Sequence, residues 1–299
     1  MSKVALITGG ASGMGLAVAT ALSKRGNWTV HLVDLNETAG KEAVSSLPNS
    51  HFHRTDVTSY SSLGATFETA FKTAGRLDFV FANAGIVERD NFYEIQQSQG
   101  TSPPNPPNQL SIDINLKAVV NTSFLALHYF RLSPHKGKGA SLVMTASCGG
   151  LYPSQFCPMY SAAKAGVVQF MRSIAFPYHH NDGVRCYAIC PGTVRTNLLS
   201  GEEWKSFPDS YFTPIETIVS TVEKLIDGGA IQDAVGKGVE SGADYGLAVE
   251  INGKNFYFRD QIPYCDDAMR AVMEATRMEN QLERIEKGKR EMKGKVDPA

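Results

Sequence analysis

Tyr160 and Lys164 place a phenol and an ammonium four residues apart in Tyr160-Ser161-Ala162-Ala163-Lys164. On a helix, residues four apart share one face, so both polar heads reach one small volume. A cation beside a phenol favours the phenolate and lowers a pKa that is ordinarily about 10. The chemistry on offer is proton exchange with an alcohol or carbonyl oxygen near neutral pH. The same spacing also occurs on solvated helix faces, so its meaning depends on the elements that would position it.

Those elements begin at the N-terminus. The apolar run Val4-Ala5-Leu6-Ile7 reads as a strand and feeds Thr8-Gly9-Gly10-Ala11-Ser12-Gly13-Met14-Gly15. A helical pattern follows, with Leu16, Ala19, Leu22 and Ser23 on one face, ending near Gly26. Strand, glycine turn and helix are the context of a dinucleotide site: glycines admit close backbone approach, and the helix start offers free N–H groups to a pyrophosphate. Taken alone, the turn is equally a glycine-rich bend with no ligand. A second strand, residues 30–33, runs into Asp34, nineteen residues beyond Gly15. A carboxylate there accepts hydrogen bonds from both adenosine ribose hydroxyls and repels a 2′-phosphate, and no arginine follows in Leu35-Asn36-Glu37. The reading is NAD(H) over NADP(H); the structural alternative for Asp34 is the N-cap of a helix starting near Glu37. Residues 51–57 resemble a third strand ending in an acid. Asp56 either accepts from an adenine amino group, with Val57 against the ring, or caps a helix from Tyr60. His31, His51 and His53 read as solvated strand-face or loop residues, and no His/Cys/Asp cluster has the spacing of a zinc site, so no metal is expected. Residues 78–82 read as a fourth strand closed by Asn83-Ala84-Gly85, whose small side chains leave room for a ligand above a parallel sheet.

At 299 residues and 42% apolar, the chain suits one large α/β domain or two small ones. A formal charge of −1 gives no electrostatic reason for a nucleic-acid or anionic-membrane partner. The five cysteines, Cys148, Cys157, Cys186, Cys190 and Cys265, form no Cys-x-x-Cys pair, which fits a reducing compartment. Met1-Ser2-Lys3 before the first apolar run is too short for a signal peptide, and no apolar run approaches a span of about 20 residues. The expectation is a soluble cytoplasmic protein.

Thr8-Gly-x-x-x-Gly-x-Gly15, Asn83-Ala-Gly85 and Tyr160-x-x-x-Lys164, in this order and spacing, resemble a classical short-chain dehydrogenase/reductase over roughly residues 3–260. Asp34 followed by Leu35-Asn36, and the late segment 246–258, are similar to enzymes of the NAD-dependent 15-hydroxyprostaglandin dehydrogenase type. The resemblance implies an α/β fold: one doubly wound Rossmann domain with a parallel sheet of about seven strands. It assigns Thr8, Gly9, Ser12, Gly13, Met14, Gly15, Asp34, Leu35, Asp56, Val57, Asn83, Ala84 and Gly85 to the cofactor. Pro191, Gly192, Val194 and Thr196 resemble the segment at the nicotinamide end, with Val194 against the carboxamide and Thr196 near the phosphates. Asn115, in Asp113-Ile114-Asn115-Leu116, would hold a water in a proton relay; its alternative is a helix kink or cap residue. Ser147 ends an apolar strand, 142–147, thirteen residues before Tyr160. It would polarise the reacting oxygen, the alternative being a strand-end hydroxyl bonded to backbone. Tyr160 would be general acid/base and Lys164 would hold it partly ionised while bonding the nicotinamide ribose. The implied reaction is hydride transfer between NAD(H) and an apolar secondary alcohol or ketone, in a homodimer or homotetramer packed through the helices bearing Asn115 and Tyr160. The rivals are an NADPH-dependent or ring-forming biosynthetic enzyme on the same fold, against which Asp34 argues, and a catalytically silent nucleotide-binding scaffold, which usually lacks the serine, tyrosine or lysine.

Three variable stretches are expected to shape the substrate pocket. The Pro-rich 87–109 is an exposed loop, either a pocket wall or a remote insertion. Residues 148–159 are apolar through Leu151, Tyr152, Phe156 and Met159. Prostaglandin-oxidising relatives carry a glutamine three residues before the tyrosine, where this chain has Cys157, so the resemblance does not extend to that substrate. Cys148 and Cys157 read as buried packing rather than reactive thiols. Residues 197–214, rich in Leu and aromatics, read as a lid or as a packed surface helix. Residues 215–227 read as a covering helix, and Asn252-Gly253-Lys254 as a hairpin whose first arm is the sheet's last strand. The boundary is set at 262, with 263–299 a charged helical extension carrying Met269, Val272, Met273 and Met278 at helical spacing.

Overall fold

The computed structural model describes residues 2–94, 101–278 and 280–281. Part of the Pro-rich loop (95–100) and the charged end of the extension (282–299) lie outside the described residues. The chain divides into two compact units, Met1–Arg259 and Asp260–Ala299.

The first unit is built on strands β1 (Lys3–Thr8), β2 (Trp28–Asp34), β3 (Ser50–Arg54), β4 (Phe79–Ala82), β5 (Ser141–Thr145), β6 (Arg185–Pro191), β9 (Leu247–Asn252) and β10 (Asn255–Arg259). They form one eight-stranded sheet in the order β10-β9-β6-β5-β4-β1-β2-β3. Strands β3 through β9 run parallel, and β10 returns antiparallel on β9 through the tight turn at Gly253 (φ 56°). The sheet's last strand is therefore β10, not the first arm of the hairpin. The alternation of β10, with Phe256 and Phe258 buried, gives the edge a face to bury, so the arm pairs rather than projecting. A small second sheet pairs β7 (Ile231–Gln232) with β8 (Gly238–Val239).

Helices cover both faces because the strands are apolar on both. In β1, Val4 and Leu6 face one core while Ala5 and Ile7 face the other. Such doubly buried strands read as continuous apolar runs rather than alternating ones. One layer consists of α1 (Gly13–Lys24), through Val18, Ala19 and Leu22, and α8 (Ile215–Asp227), through Ile218, Val222, Leu225 and Ile226. Ala43 of α2 (Glu37–Ser46) joins this core. The opposite layer is α3 (Tyr60–Ala74), α5 (Ala118–Leu132) and α6 (Pro158–Asp182), through residues such as Phe67, Phe130, Val167 and Met171. A short helix α4 (Leu110–Ile112) and a π-helical turn (Asp113–Lys117) lead directly into α5. Among the described residues, one helix, Leu110–Leu132, is long and apolar enough to cross a membrane by length and composition. Sequence reading finds no such run because Asn115, Lys117, Asn121 and His128 interrupt it; here Val119, Leu125, Ala126 and Phe130 are buried in the core. In the second unit, α9 (Asp267–Ala275) is capped by Asp266, whose carboxylate accepts from Met269 N at 2.7 Å, and Met269, Val272 and Met273 are exposed.

The order reverses between β1 and β4: from β1 the chain moves outward through β2 and β3, then returns to β4 on the other side. Flanking loops diverge at such a switch point and open a crevice at the strands' carboxyl ends.

His31 departs from its expected solvated place. It is fully buried on β2, stacked on His51 (4.9 Å between centroids) and His53 (5.1 Å), with Nδ1 2.9 Å from His53 Nε2. Strand β2 lies inside the sheet between β1 and β3, and the stacked imidazoles of His51 and His53 on β3 lie against His31. Burial, reinforced by the neighbouring imidazoles, holds the His31 pKa down to about 3. The unfolded chain takes up this proton near pH 6.5, so its stabilising contribution is intact above about 6.5 and is lost as pH falls toward 3. Replacing His31 with Leu is expected to flatten the fall in melting temperature between pH 6.5 and 4; an unchanged slope would show that other groups control acid unfolding.

Candidate active site

A cavity of about 520 Å³ occupies the crevice over the carboxyl ends of β1, β2, β4, β5 and β6. Its wall runs from Asp34, Leu35, Asp56 and Val57 at one end, past the glycine turn, to Ser147, Tyr160 and Lys164 at the other.

The glycine turn is built for close approach. A Cβ on Gly9 would lie 2.9 Å from Ala84 Cα, and one on Gly15 would lie 2.2 Å from the Gly9 carbonyl oxygen. Gly9, Ser12, Gly13 and Met14 line the cavity, while Gly15 and Thr8 stand behind the wall. Gly15 therefore packs the helix on the turn. Thr8 Oγ1 accepts from Asn83 N (2.9 Å) and Ala84 N (3.1 Å), joining the ends of β1 and β4. Both were expected to contact a cofactor; in the structure they shape the turn that would do so. Ser12 sits at the N-cap of α1 but makes no side-chain cap bond, leaving the first-turn N–H groups facing the cavity without that partner. This helix start, bordered by Gly13, suits an anionic phosphate. Asn83 knits three strand ends, donating from Nδ2 to Thr8 O (3.2 Å) and Gly9 O (3.3 Å) and accepting from Thr145 Oγ1 (3.0 Å).

Asp34 does not cap the next helix; Asn36 does, accepting from Ala39 N at 3.1 Å. The Asp34 carboxylate is instead fixed at the cavity wall by Ala11 N (3.1 Å) and Asn36 N (3.0 Å). Similarly Ser59, not Asp56, caps α3, and Asp56 turns its own loop by accepting from Thr58 N at 2.9 Å.

At the other end, Lys164 is 2% exposed and donates from Nζ to the Thr145 carbonyl at 2.7 Å. Its Nζ lies 5.6 Å from the Tyr160 ring centroid. Ser147 Oγ accepts from Gly149 N at 3.1 Å and lies 3.9 Å from Cys148 Sγ, so it is a strand-end hydroxyl bonded to backbone that shares the cavity wall with Tyr160. Gly85 is small by necessity, since its Cβ would come within 2.7 Å of Asn115 Oδ1 and 3.4 Å of Lys164 Nζ. Asn115 lies in the π-helical turn, a distortion that recurs at functional sites. Its amide bonds Ile86 in both directions (Oδ1 from N, 3.1 Å; Nδ2 to O, 2.7 Å) and donates to Ser111 Oγ (3.0 Å).

The electrostatics differ from the sequence expectation. Burial pushes the Tyr160 phenol up to about 12, outweighing the opposite pull of the nearby Ser147 hydroxyl. Burial also brings Lys164 down to about 7, well below an ordinary lysine. The expected lowering of the phenol by its lysine is overridden because both groups are withdrawn from water.

The pocket walls also differ. Of the apolar residues expected from 148–159, Leu151 and Tyr152 line a separate cavity of about 430 Å³, Phe156 is 86% exposed, and Met159 is buried. The stretch contributes Cys148, Gly149 and Ser154 to the main cavity. Burial raises the Cys148 and Cys157 thiols; Cys157 is buried as expected, whereas Cys148 is half-buried and lines the cavity. Apolar lining comes instead from Ile86, Val87, Leu198, Leu199, Trp204 and Phe207. Ile86 was missed because it belongs to no motif, whereas Val87 opens the 87–109 stretch offered as a pocket wall and Ile114 stands in the Asn115 motif. Trp204 ends the short helix α7 (Gly201–Trp204) and donates from Nε1 to Thr196 O (3.0 Å), tying this stretch to the segment of Pro191, Gly192, Val194 and Thr196, all on the wall. In the described part of the 87–109 loop, Val87 lines the cavity and Glu88 is buried, while 89–94 and 101–109 are exposed.

The family model for short chain dehydrogenases matches residues 3–205. The chain is a classical short-chain dehydrogenase/reductase. It is 52% identical to a Penicillium rubens protein described as short-chain dehydrogenase/reductase prx7, covering 90% of this chain and 98% of that one. It is 31% identical to human 15-hydroxyprostaglandin dehydrogenase [NAD(+)], covering 86% and 94% respectively. Its fold superposes with a TM-score of 0.68 on a 3-ketoacyl-(acyl-carrier-protein) reductase from Brucella melitensis complexed with NADH, at 22% identity, covering 84% of this chain and 97% of that one. As a short-chain oxidoreductase, the protein belongs to a family that binds a nicotinamide cofactor, and the uncapped helix start and glycine cradle fit a dinucleotide.

The buried lysine yields a prediction about the free protein. With its folded pKa near 7, against an ordinary lysine value of about 10.4, the unfolded chain holds more protons between these limits, and stability rises with pH across that window. Lys164→Met is expected to raise the melting temperature at pH 7 by about 2–4 °C, roughly 1 kcal/mol for a domain of this size. The gain should vanish toward pH 10; a gain independent of pH would show that packing, not charge burial, is responsible.

Proposed function

We propose that this protein interconverts an apolar secondary alcohol and its ketone with NAD(H). One observation carries the reading: Tyr160, with Ser147 on the same wall and buried Lys164 one helical turn on, shares one cavity with the glycine turn and Asp34. Asp34, Leu35, Asp56 and Val57 would hold the adenosine end. Gly9, Ser12, Gly13 and Met14 would hold the pyrophosphate, and Asn83, Ala84, Gly85, Pro191, Gly192, Val194 and Thr196 the remainder. Bound there, the nicotinamide supplies the hydride acceptor or donor.

The side chains handle the proton and the geometry. Tyr160 Oη takes the hydroxyl proton in oxidation and returns it in reduction. Ser147 Oγ accepts from Gly149 N, and its O–H, directed at the weak acceptor Cys148 Sγ (3.9 Å), can turn to donate to the reacting oxygen. Lys164, with one N–H on Thr145 O, has others for the phenol and a ribose hydroxyl. Asn115, whose side-chain amide bonds Ile86 and Ser111, holds the wall in place beside Lys164. The cavity's aliphatic and indole lining supports an apolar substrate. Asp34 supports NAD(H), since a fixed carboxylate disfavours a 2′-phosphate, and the human relative's name specifies NAD(+). Exposed Phe124 and Leu132 on α5 support assembly as a homodimer or homotetramer, and five free cysteines support a cytoplasmic setting.

Fluorescence titration with NADH and NADPH, followed by an absorbance screen of apolar secondary alcohols, tests the reading. NADH is expected to bind at least about tenfold tighter than NADPH, a difference of about 1.4 kcal/mol. Tighter NADPH binding would favour the reductive or ring-forming rival, and binding of neither would favour the scaffold. Tyr160→Phe is expected to keep NADH affinity within about twofold while turnover falls by about 10²–10⁴. Because burial holds the phenol's proton tightly, oxidation is expected to accelerate from pH 7 to 10 as the base form grows, whereas reduction should not. An oxidation optimum below pH 7 would contradict Tyr160 as the base.

A further inference from the structure

Residues 86–89 leave the end of the Asn83-Ala84-Gly85 segment and touch three separate parts of the site. Ile86 is clamped through both backbone groups by Asn115. Glu88 accepts the backbone N–H of Tyr160 on Oε2 at 2.6 Å. Arg89 donates to Glu203 (2.6 Å) and to the Leu198 carbonyl (3.0 Å), both in the 197–214 stretch. The proton-transfer chemistry uses none of the Glu88 and Arg89 contacts.

Glu88 is the unusual member. It is 7% exposed, and its second oxygen, Oε1, is buried with no hydrogen-bond partner. Leaving a buried carboxylate oxygen unpaired is costly. Helix α6 starts at Pro158, and its N-cap residue, Cys157, makes no side-chain cap bond. An ordinary Ser, Thr, Asp or Asn at that position would satisfy the helix start locally, without burying a charge. Instead the carboxylate comes from seventy-two residues away and bonds the one N–H that belongs to Tyr160. Its negative charge sits favourably at the positive end of the helix. A local cap would secure the helix but would not fix Tyr160 relative to the wall formed by Gly85, Ile86 and Val87. The Glu88 bond does both.

We propose that Glu88 is a positioning residue: it sets where Tyr160 stands against the cavity wall by holding the tyrosine's own backbone. The inference rests on the reading that Tyr160 moves the proton, and it names the group that fixes this tyrosine's place. Misplacement of a catalytic group by about 1 Å costs on the order of a hundredfold in rate.

The test compares Glu88→Ala, which removes the acceptor, Glu88→Gln, which keeps an oxygen at the same reach, and Glu88→Asp, which keeps the charge but shortens the reach. Hydrogen exchange is measured over residues 157–164, NADH affinity by fluorescence, and kcat and KM with the fastest alcohol of the screen. For E88A and E88D we expect exchange in 157–164 to rise, and kcat to fall, by about tenfold or more, with NADH affinity within about twofold. E88Q is expected to restore both to within about threefold of wild type. If E88A does not fold, E88D carries the same comparison. Unchanged exchange and kcat in E88D, or equal impairment in E88Q and E88D, would overturn the inference; a fall in melting temperature with unchanged kcat would show Glu88 to be a structural cap only. Absence of wild-type turnover, or full turnover by Tyr160→Phe, would remove the proton-transfer reading instead, and the exchange measurement would still decide whether Glu88 holds the helix start.

Discussion

The site depends on one buried cation. Lys164 lies almost wholly out of water, with its ammonium nitrogen on the carbonyl of Thr145 at the carboxyl end of β5. That bond anchors α6 to the sheet at the level where the strands end, and so sets the depth of Tyr160, one helical turn earlier. A lysine so placed is costly to keep protonated, which is why its pKa falls toward neutrality. The surroundings are shaped to admit it. Gly85 has no side chain to collide with it, and Asn115 closes the gap beyond. The π-helical turn is where the helix departs from regular geometry to bring that amide to Ile86.

From this anchor the rest follows in layers. Parallel strands packed on both faces must be apolar throughout, so polar chemistry is confined to their ends. The reversal of strand order between β1 and β4 keeps the loops there from closing over the sheet. Asn83 and Thr8 bind the ends of β1, β4 and β5 into one rigid floor. The glycine turn and uncapped start of α1 occupy one side of that floor and the Ser147–Tyr160–Lys164 group the other. A ligand long enough to span the cavity meets both. The stretch 197–214 supplies aliphatic and aromatic cover, joined to the floor by Trp204 on Thr196 and by Arg89 on Leu198 and Glu203.

Much of this was legible in the residues themselves. The first strands along the chain, the glycine turn, Asp34 at the end of β2 and the tyrosine–lysine pair all belong to patterns carried by neighbouring residues, where local backbone preference and side-chain spacing suffice. The misreadings share one cause. His31 looks polar in isolation, but its environment is set by its place on an interior strand against the stacked imidazoles of β3. Leu151, Tyr152, Phe156 and Met159 form an apolar stretch, yet the backbone turns after Ser147 send them away from the main cavity. Glu88 and Ile86 carry no motif, and their roles arise only where distant segments meet.

The sequence by itself determined the fold class, the family and the identity of the polar groups at the strand ends, because these follow from periodicity, glycine placement and fixed short spacings. The tertiary structure alone decided which walls the substrate cavity has, what holds Tyr160 in place, and how strongly water is excluded from the phenol and amine. Burial and long-range hydrogen bonds depend on chain segments brought together by folding, and the proton affinities of Tyr160 and Lys164 are governed by that burial more than by their spacing of four residues.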